Sequence, residues 1–397
     1  RVKSCNYLLT IGLQYFIIFL YGFFRETNRG ILYMKKKKKG KTLNLVICAI
    51  AFVVMIVYLV FVDSIDNVVA ALTKINKGAL VICVLFMVGY WLSEAATIHV
   101  MLKSMHPKMK FWNSWLVTII GQYFNCITPS ASGGQPMQAY YLVKFGVPLG
   151  CGLTALLSRF IVYQFVLTGY SVFTLAVGFS HFGDDLTQKG LMPFVIVGFV
   201  INTAVIVFLF CIALFRKATL KVANALISLL AKMHIVKHPM KWRIYITREV
   251  NKFYNNFKYL RKNIPLLLKA LLFTFIQLTL YLCISYVLYR GFGMSDASLL
   301  QIMSYQAYVL MISSFIPLPG AMGGAELGYH GFFKDIFTEQ YVNTSMMLWR
   351  IMTFYLPIIV GLIFTLTMKN KGIDEPTDEQ ARQTMFEMEA TIDKETK

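Results

Sequence analysis

Two copies of one short pattern, each interrupting an apolar run, constrain this chain more than any other feature. The first is Pro129-Ser-Ala131-Ser-Gly133-Gly134 and the second is Pro319-Gly-Ala321-Met-Gly323-Gly324, so both read Pro-x-Ala-x-Gly-Gly. Proline removes a backbone donor and clashes with the preceding turn, while paired glycines allow backbone angles that other residues avoid. Within a bilayer, broken backbone is tolerated only where protein buries it or where it lines a polar cavity. Matching breaks in two halves of a polytopic chain point to a transporter's binding site. Two ordinary extramembrane loops are the plainer alternative, and the shared spacing and the sparse charge around both breaks weigh against it.

That reading requires a membrane protein, and composition supplies one. Of 397 residues, 57% are hydrophobic and only 15% are charged. Several apolar runs reach the roughly 20 residues that span a bilayer as a helix. The predicted fold class is therefore all-α, a polytopic helical bundle with two re-entrant Pro/Gly-Gly hairpins, with an inverted repeat as one arrangement open to it. The formal net charge of +20 is carried by loops between apolar spans. Positive-inside orientation and anionic headgroups account for it, and no nucleic-acid partner is expected. The cysteines (Cys5, Cys48, Cys83, Cys126, Cys151, Cys211, Cys283) are scattered through apolar segments without a Cys-x-x-Cys pair. Neither a structural disulfide nor a metal site is expected, and no cofactor motif is present.

In chain order, an apolar run from Tyr7 to Phe24 precedes Met34 and its lysine cluster at 35–41. This pattern predicts a translational start at Met34, with 1–33 an optional or non-native segment, and places the cluster in the cytoplasm. Residues 34–368 form the predicted membrane domain. Leu43–Val62 and Ala79–Ile98 read as spans. Phe111–Thr128 leads into the first break, and Gln135–Gly146 returns from it. Leu149–Phe179 is too long for one straight span and reads as a short helix followed by a span, with a loop around Asp184 and Asp185. Leu191–Phe215 is a further span. Segment 216–262 holds twelve Lys or Arg against one acid, Glu249, which predicts basic amphipathic helices at the cytoplasmic surface. Pro265–Tyr289 spans, Leu299–Ile316 enters the second break as a half-span, and Met346–Met368 is the last span. The tail, 369–397, is expected to be flexible and cytoplasmic.

Charges inside apolar spans are costly and mark candidate sites. Arg159 and Arg350 offer planar forks suited to phosphate oxygens, and Glu94 and Glu326 could take a cationic group. Gln122 and Gln135, with Gln306, could add neutral hydrogen bonds. Amides following Gly133 and Gly323 could hold an oxyanion. The candidate site is thus Arg159, Arg350, Glu326, Glu94, Gln135 and Gln122, framed by Pro129, Gly133, Gly134, Pro317, Pro319, Gly323 and Gly324. The structural alternative is that each arginine pairs with a glutamate to fix helix register. There is no Walker loop, His-Glu-x-x-His or Gly-x-Ser-x-Gly, and the six histidines are dispersed.

The run Gln122-Tyr-Phe-Asn-Cys-Ile-Thr-Pro-Ser-Ala-Ser-Gly-Gly-Gln-Pro and the run Pro317-Leu-Pro-Gly-Ala-Met-Gly-Gly-Ala-Glu carry a resemblance. So do Trp349-Arg350, Phe354-Tyr355-Leu356-Pro357 and Gly361. Over about 34–368 the chain resembles the lysylphosphatidylglycerol synthase/flippase transmembrane family, the membrane part of the bacterial multiple peptide resistance factor. The resemblance implies a plasma-membrane flippase that moves aminoacylated phosphatidylglycerol to the outer leaflet and so repels cationic antimicrobial peptides. Full-length relatives append a soluble domain that transfers lysine from lysyl-tRNA. Only 29 residues follow Met368 here, fewer than the roughly 40 a domain needs to fold alone, so the chain is not expected to be an enzyme by itself. Lysyltransferase activity with a separate lipid-modifying enzyme, or a non-transporting scaffold, remain the other readings. The expected partners are a phospholipid and the membrane, with a homo-oligomer left open.

Overall fold

The computed structural model describes residues 73, 75–129, 131–188, 192–232, 239–314, 316, 318–337 and 339–370. The expectations for 1–33, the lysine cluster at 35–41, the span Leu43–Val62, the tail beyond 370 and Pro317 lie outside the described residues. Among those described there is no named strand, and the chain is a series of helices.

The helices fall into two sets with the same order of lengths. In the first set, α1 (Lys77–Met105) and α4 (Leu149–Gln188) are long, while α2 (Phe111–Ile127) and α3 (Gly134–Lys144) are short. Later in the chain, α8 (Ile264–Gly291) is long and α9 (Leu299–Ser313) and α10 (Gly324–Phe333) are short. A final long helix is built from α11 (Glu339–Arg350), a π turn (Ile351–Tyr355) and α12 (Leu356–Asn370). Between the sets lie α5 (Met192–Leu214), α6 (Arg216–Lys232) and α7 (Pro239–Lys262). Four described stretches are long and apolar enough to cross a membrane: Lys77–Met105, Leu149–Ala176, Ile264–Gly291 and Tyr341–Thr367. The chain is therefore a multi-pass membrane protein.

Local chemistry sets the helix starts. The Asn76 side chain accepts from the Gly78 amide at 2.8 Å to cap α1. Asn263 caps α8 through Leu266 N, and Pro265 occupies the first turn, where its missing N–H costs nothing. Ser298 caps α9 through Gln301 N. With 15 residues, α9 reaches about 22 Å, short of the roughly 30 Å hydrocarbon core. That length supports the half-span expected before the second break.

One expectation fails. Leu149–Phe179 was expected to be a short helix followed by a span. It is part of one continuous 40-residue helix that also runs through Asp184 and Asp185, where a loop was expected. No proline lies between Leu149 and Gln188, and hydropathy alone does not mark where a helix leaves the apolar zone.

Packing repeats the two-set order. α1 lies along α8, the most extensive helix pair among the described residues. α2 folds back on α3, and α9 on α10. α1 touches α4, as α8 touches α11. Across the sets, α2 packs on α12 and α9 packs on α4. Exchanging the two sets maps this pattern onto itself, as a local two-fold axis would. The second hairpin packs into a buried aromatic cluster. There Tyr329 stacks on Phe333 and Trp349 at 4.3 and 5.1 Å, and Tyr305, Tyr308 and Phe332 close the cluster.

Between the sets, α6 and α7 pack on each other, and α7 also rests on α4. Arg216 donates to Asn251 at 2.8 Å and Arg243 to Ser228 at 2.7 Å. Exposed Val222 and Leu229 lie seven residues apart on one face of α6, with exposed Lys217 and Lys221 beside them.

Candidate functional site

The two breaks share one turn over Pro-x-Ala and part at the first glycine, where Gly133 takes φ −82° and Gly323 φ 82°. In the first, Ala131 N donates to Thr128 O at 3.2 Å and Ser132 N to Pro129 O at 3.1 Å. In the second, Ala321 N donates to Leu318 O at 2.9 Å and Met322 N to Pro319 O at 3.2 Å. Ala131 and Ala321 both take the left-handed conformation, with φ 51° and 54°. This region is costly for an alanine, so its use twice at one motif position marks a backbone held by its surroundings.

The turns also meet. Pro129 and Pro319 form an antiparallel bridge, among the described residues the one place where the two hairpins pair through backbone. Neither proline has an amide hydrogen, so the donors must come from neighbouring residues. An antiparallel bridge between equivalent residues is the isologous contact a two-fold axis generates. Close approach then excludes side chains behind each turn. A Cβ on Gly134 would overlap Asn125 Oδ1, and one on Gly324 would overlap the Ile316 side chain.

Four charges are buried within the bundle, and they form two separate pairs. Arg159 Nη2, on α4, lies 3.0 Å from Glu94 Oε1, on α1. Arg350 Nε, at the end of α11, lies 2.6 Å from Glu326 Oε1, in the first turn of α10. Glu94 is fully buried, and Arg159, Glu326 and Arg350 are 8–9% exposed. Neutralising each charge with its partner is what makes such burial tolerable.

The pairs differ in how far their hydrogen-bonding capacity is used. Glu94 Oε2 also accepts from Gln122 Nε2 at 2.5 Å and from Gln277 Nε2 at 3.1 Å, so both carboxylate oxygens are engaged. This carboxylate ties together α1, α2, α4 and α8. At the second pair, Arg350 Nη1 donates to the Gly320 carbonyl at 3.0 Å, which fixes the guanidinium on the Pro319 turn. Its Nη2 and Glu326 Oε2 are buried without partners, so both members of this pair keep an unused atom, whereas in the first pair only Arg159 Nε does. Trp349 and Phe354 face the guanidinium at 4.9 and 5.7 Å.

The π turn that follows positions Arg350. Leu356 N donates to Ile351 O, five residues back. Pro357 has no amide to give, and its ring would crowd the Thr353 carbonyl in a regular helix. Widening the helix by a residue relieves that crowding, and such bulges often mark functional sites.

The remaining expected residues sit less centrally. Gln135 is half-buried on the first turn of α3 and, among the described residues, makes no hydrogen bond to the four charges. One turn on, buried Gln138 fills the space against Gly121. Gln306 accepts from Ser285 at 2.5 Å. Sequence reasoning missed Gln277, although a lone amide in the apolar stretch Leu266–Leu282 carries the same signal that singled out Gln122.

Fold and site together define a polytopic helical membrane protein with two broken helices meeting inside a two-set bundle. Residues 46–361 match the family model described as the lysylphosphatidylglycerol synthase TM region, and the chain belongs to that family. It is also 25% identical over 301 residues to a UPF0104 membrane protein of Archaeoglobus fulgidus, an alignment covering 74% of this chain and 88% of the relative.

Proposed function

We propose that the chain translocates a phospholipid headgroup between leaflets, with aminoacylated (lysyl-) phosphatidylglycerol as the preferred substrate. The headgroup passes between the hairpins while the acyl tails stay in lipid. Arg350 takes the phosphate and Glu326 the amino group, framed by Pro129, Gly133, Gly134, Pro319, Gly323 and Gly324. Glu94 and Arg159, with Gln122, brace the helices that carry the first hairpin. The observation that supports this most is the Pro129–Pro319 bridge beside a buried pair with unused donor and acceptor atoms. Translocation requires contacts that favour each access state in turn, and a pair able to exchange its partner for substrate offers such contacts. In this reading the protein resides in a bacterial plasma membrane with 35–41 and the tail on the cytoplasmic side, and it contributes to resistance against cationic peptides.

The test is leaflet movement of fluorescent and lysylated phosphatidylglycerol in liposomes holding the purified protein. Movement without tRNA supports the proposal. The description of the matched family favours a second reading, a part in lysylphosphatidylglycerol synthesis with a separate catalytic protein. Activity only with lysyl-tRNA present would select it. Inactivity in both assays would leave a scaffold.

A further inference from the structure

The two hairpins share a turn, but they differ in what their glycine amides do. In the first, Gly133 N donates to Thr128 Oγ1 at 2.8 Å and Gly134 N to Asn125 Oδ1 at 3.1 Å. Both glycine amides of the first break are therefore satisfied, and among the described residues only the Gln135 amide is left there without a partner. At the matching places of the second motif stand Phe315 and Leu318, whose side chains have no acceptor to offer. Gly323 has no side-chain cap, takes φ 82°, and is exposed. Among the described residues the amides of Gly323 and Gly324 have no hydrogen-bond partner.

Unmatched amides at the start of a ten-residue helix invite an anion, but a helix start alone is weak evidence. The second observation is Arg350. Its guanidinium is held on the same turn through Gly320 O, it is 8% exposed, and its Nη2 has no partner. We infer that Gly323 N, Gly324 N and Arg350 Nη2 form an oxyanion subsite for a phosphate group, and that the first hairpin lacks its equivalent because both of its glycine amides are occupied. This rests on the headgroup reading above and deepens it. Binding is asymmetric within a two-fold frame: one break receives the phosphate and the other is a fixed counter-wall. Glu326 lies beside the subsite, so its charge opposes a bare anion.

The probe is dihexanoylphosphatidylglycerol, titrated into the full chain in nanodiscs with 15N-glycine label. Downfield movement of the Gly323 and Gly324 amides, with Gly133 and Gly134 stationary, is expected. Leu318→Thr, which supplies the hydroxyl of the first hairpin without touching Arg350, should weaken binding roughly tenfold or more, as should Arg350→Gln. Glu326→Gln should tighten it. Inorganic phosphate is run in parallel. Equal shifts with it assign the subsite to free phosphate, and shifts with the lipid alone assign it to a headgroup. Stationary Gly323 and Gly324, equal movement of Gly133 and Gly134, or unchanged affinity in both weakened variants would overturn the inference. The liposome assay on the same protein separates the two ideas. Transport without glycine shifts removes the subsite and keeps the function, and shifts without transport do the reverse.

Discussion

Ala131 and Ala321 hold the same left-handed backbone at the same place in two turns that touch through Pro129 and Pro319. Two independent loops would have no reason to share an unfavourable conformation. The shared strain indicates that each turn is set by the contact with the other. Replacing Ala321 with valine should cost about 1–3 kcal/mol, because a β-branched residue resists this region most. Glycine at the same place should be nearly neutral, since relief of about 1 kcal/mol is offset by chain entropy of similar size. Thermal unfolding of the two variants in one detergent checks the order; a valine variant as stable as glycine would refute it.

Contact between the sets makes a second prediction. A Cβ on Gly361 of α12 would overlap Tyr123 Cβ of α2 and lie 3.2 Å from Ile119 O. Small residues allow such backbone approach between membrane helices. Gly361→Ala should therefore destabilise by about 1–3 kcal/mol through overpacking. Gly169 of α4 has open space where its Cβ would stand, so Gly169→Ala should stabilise by up to about 1 kcal/mol. Opposite signs from one substitution type, measured by unfolding, are the expected result.

How much of this was legible beforehand depends on the scale of the interaction. The repeated Pro-x-Ala-x-Gly-Gly pattern exposed the breaks, because proline and glycine act on their own backbone. The short apolar helix before the second break, Leu299–Ser313, was legible from an apolar run that ends at the motif's prolines. Pairing was not: four charges were visible, but Glu94 could have met Arg159 or Arg350, and only tertiary packing decides. Gln277 carried the same signal as Gln122, but its partner Glu94 lies far away in sequence and only packing reveals it. The uninterrupted α4 was misjudged because a helix can outrun the bilayer without a breaking residue. The difference between the hairpins was readable in principle, as Asn125 and Thr128 face Phe315 and Leu318 when the motifs are aligned.

The π turn predicts an effect on function without one on the core. Pro357→Ala restores an amide that can reach Thr353 O and removes the reason for the widened turn. A regular helix would rotate Arg350 away from Gly320 and Glu326. Lipid translocation should fall roughly tenfold or more, as expected for losing one charge-assisted contact, with unfolding nearly unchanged. A variant with normal transport would show that the π turn does not position Arg350.

The two ion pairs can be told apart by removing them whole. Deleting one member of a buried pair strands its partner and typically costs about 3–5 kcal/mol, so Glu94→Ala and Glu326→Ala alone both destabilise and say little. Replacing both members with apolar residues of similar size avoids the stranded charge. Glu94→Met with Arg159→Met should leave stability within about 1–2 kcal/mol and preserve substantial translocation, because that pair braces α1 against α4. Gln122 and Gln277 would each lose a partner, which accounts for the remaining cost. Glu326→Met with Arg350→Met should fold comparably and translocate no faster than empty liposomes, since its polar atoms are the ones assigned to the headgroup. Equal transport by the two double variants would mean that both pairs only fix helix register, and that the headgroup path lies elsewhere.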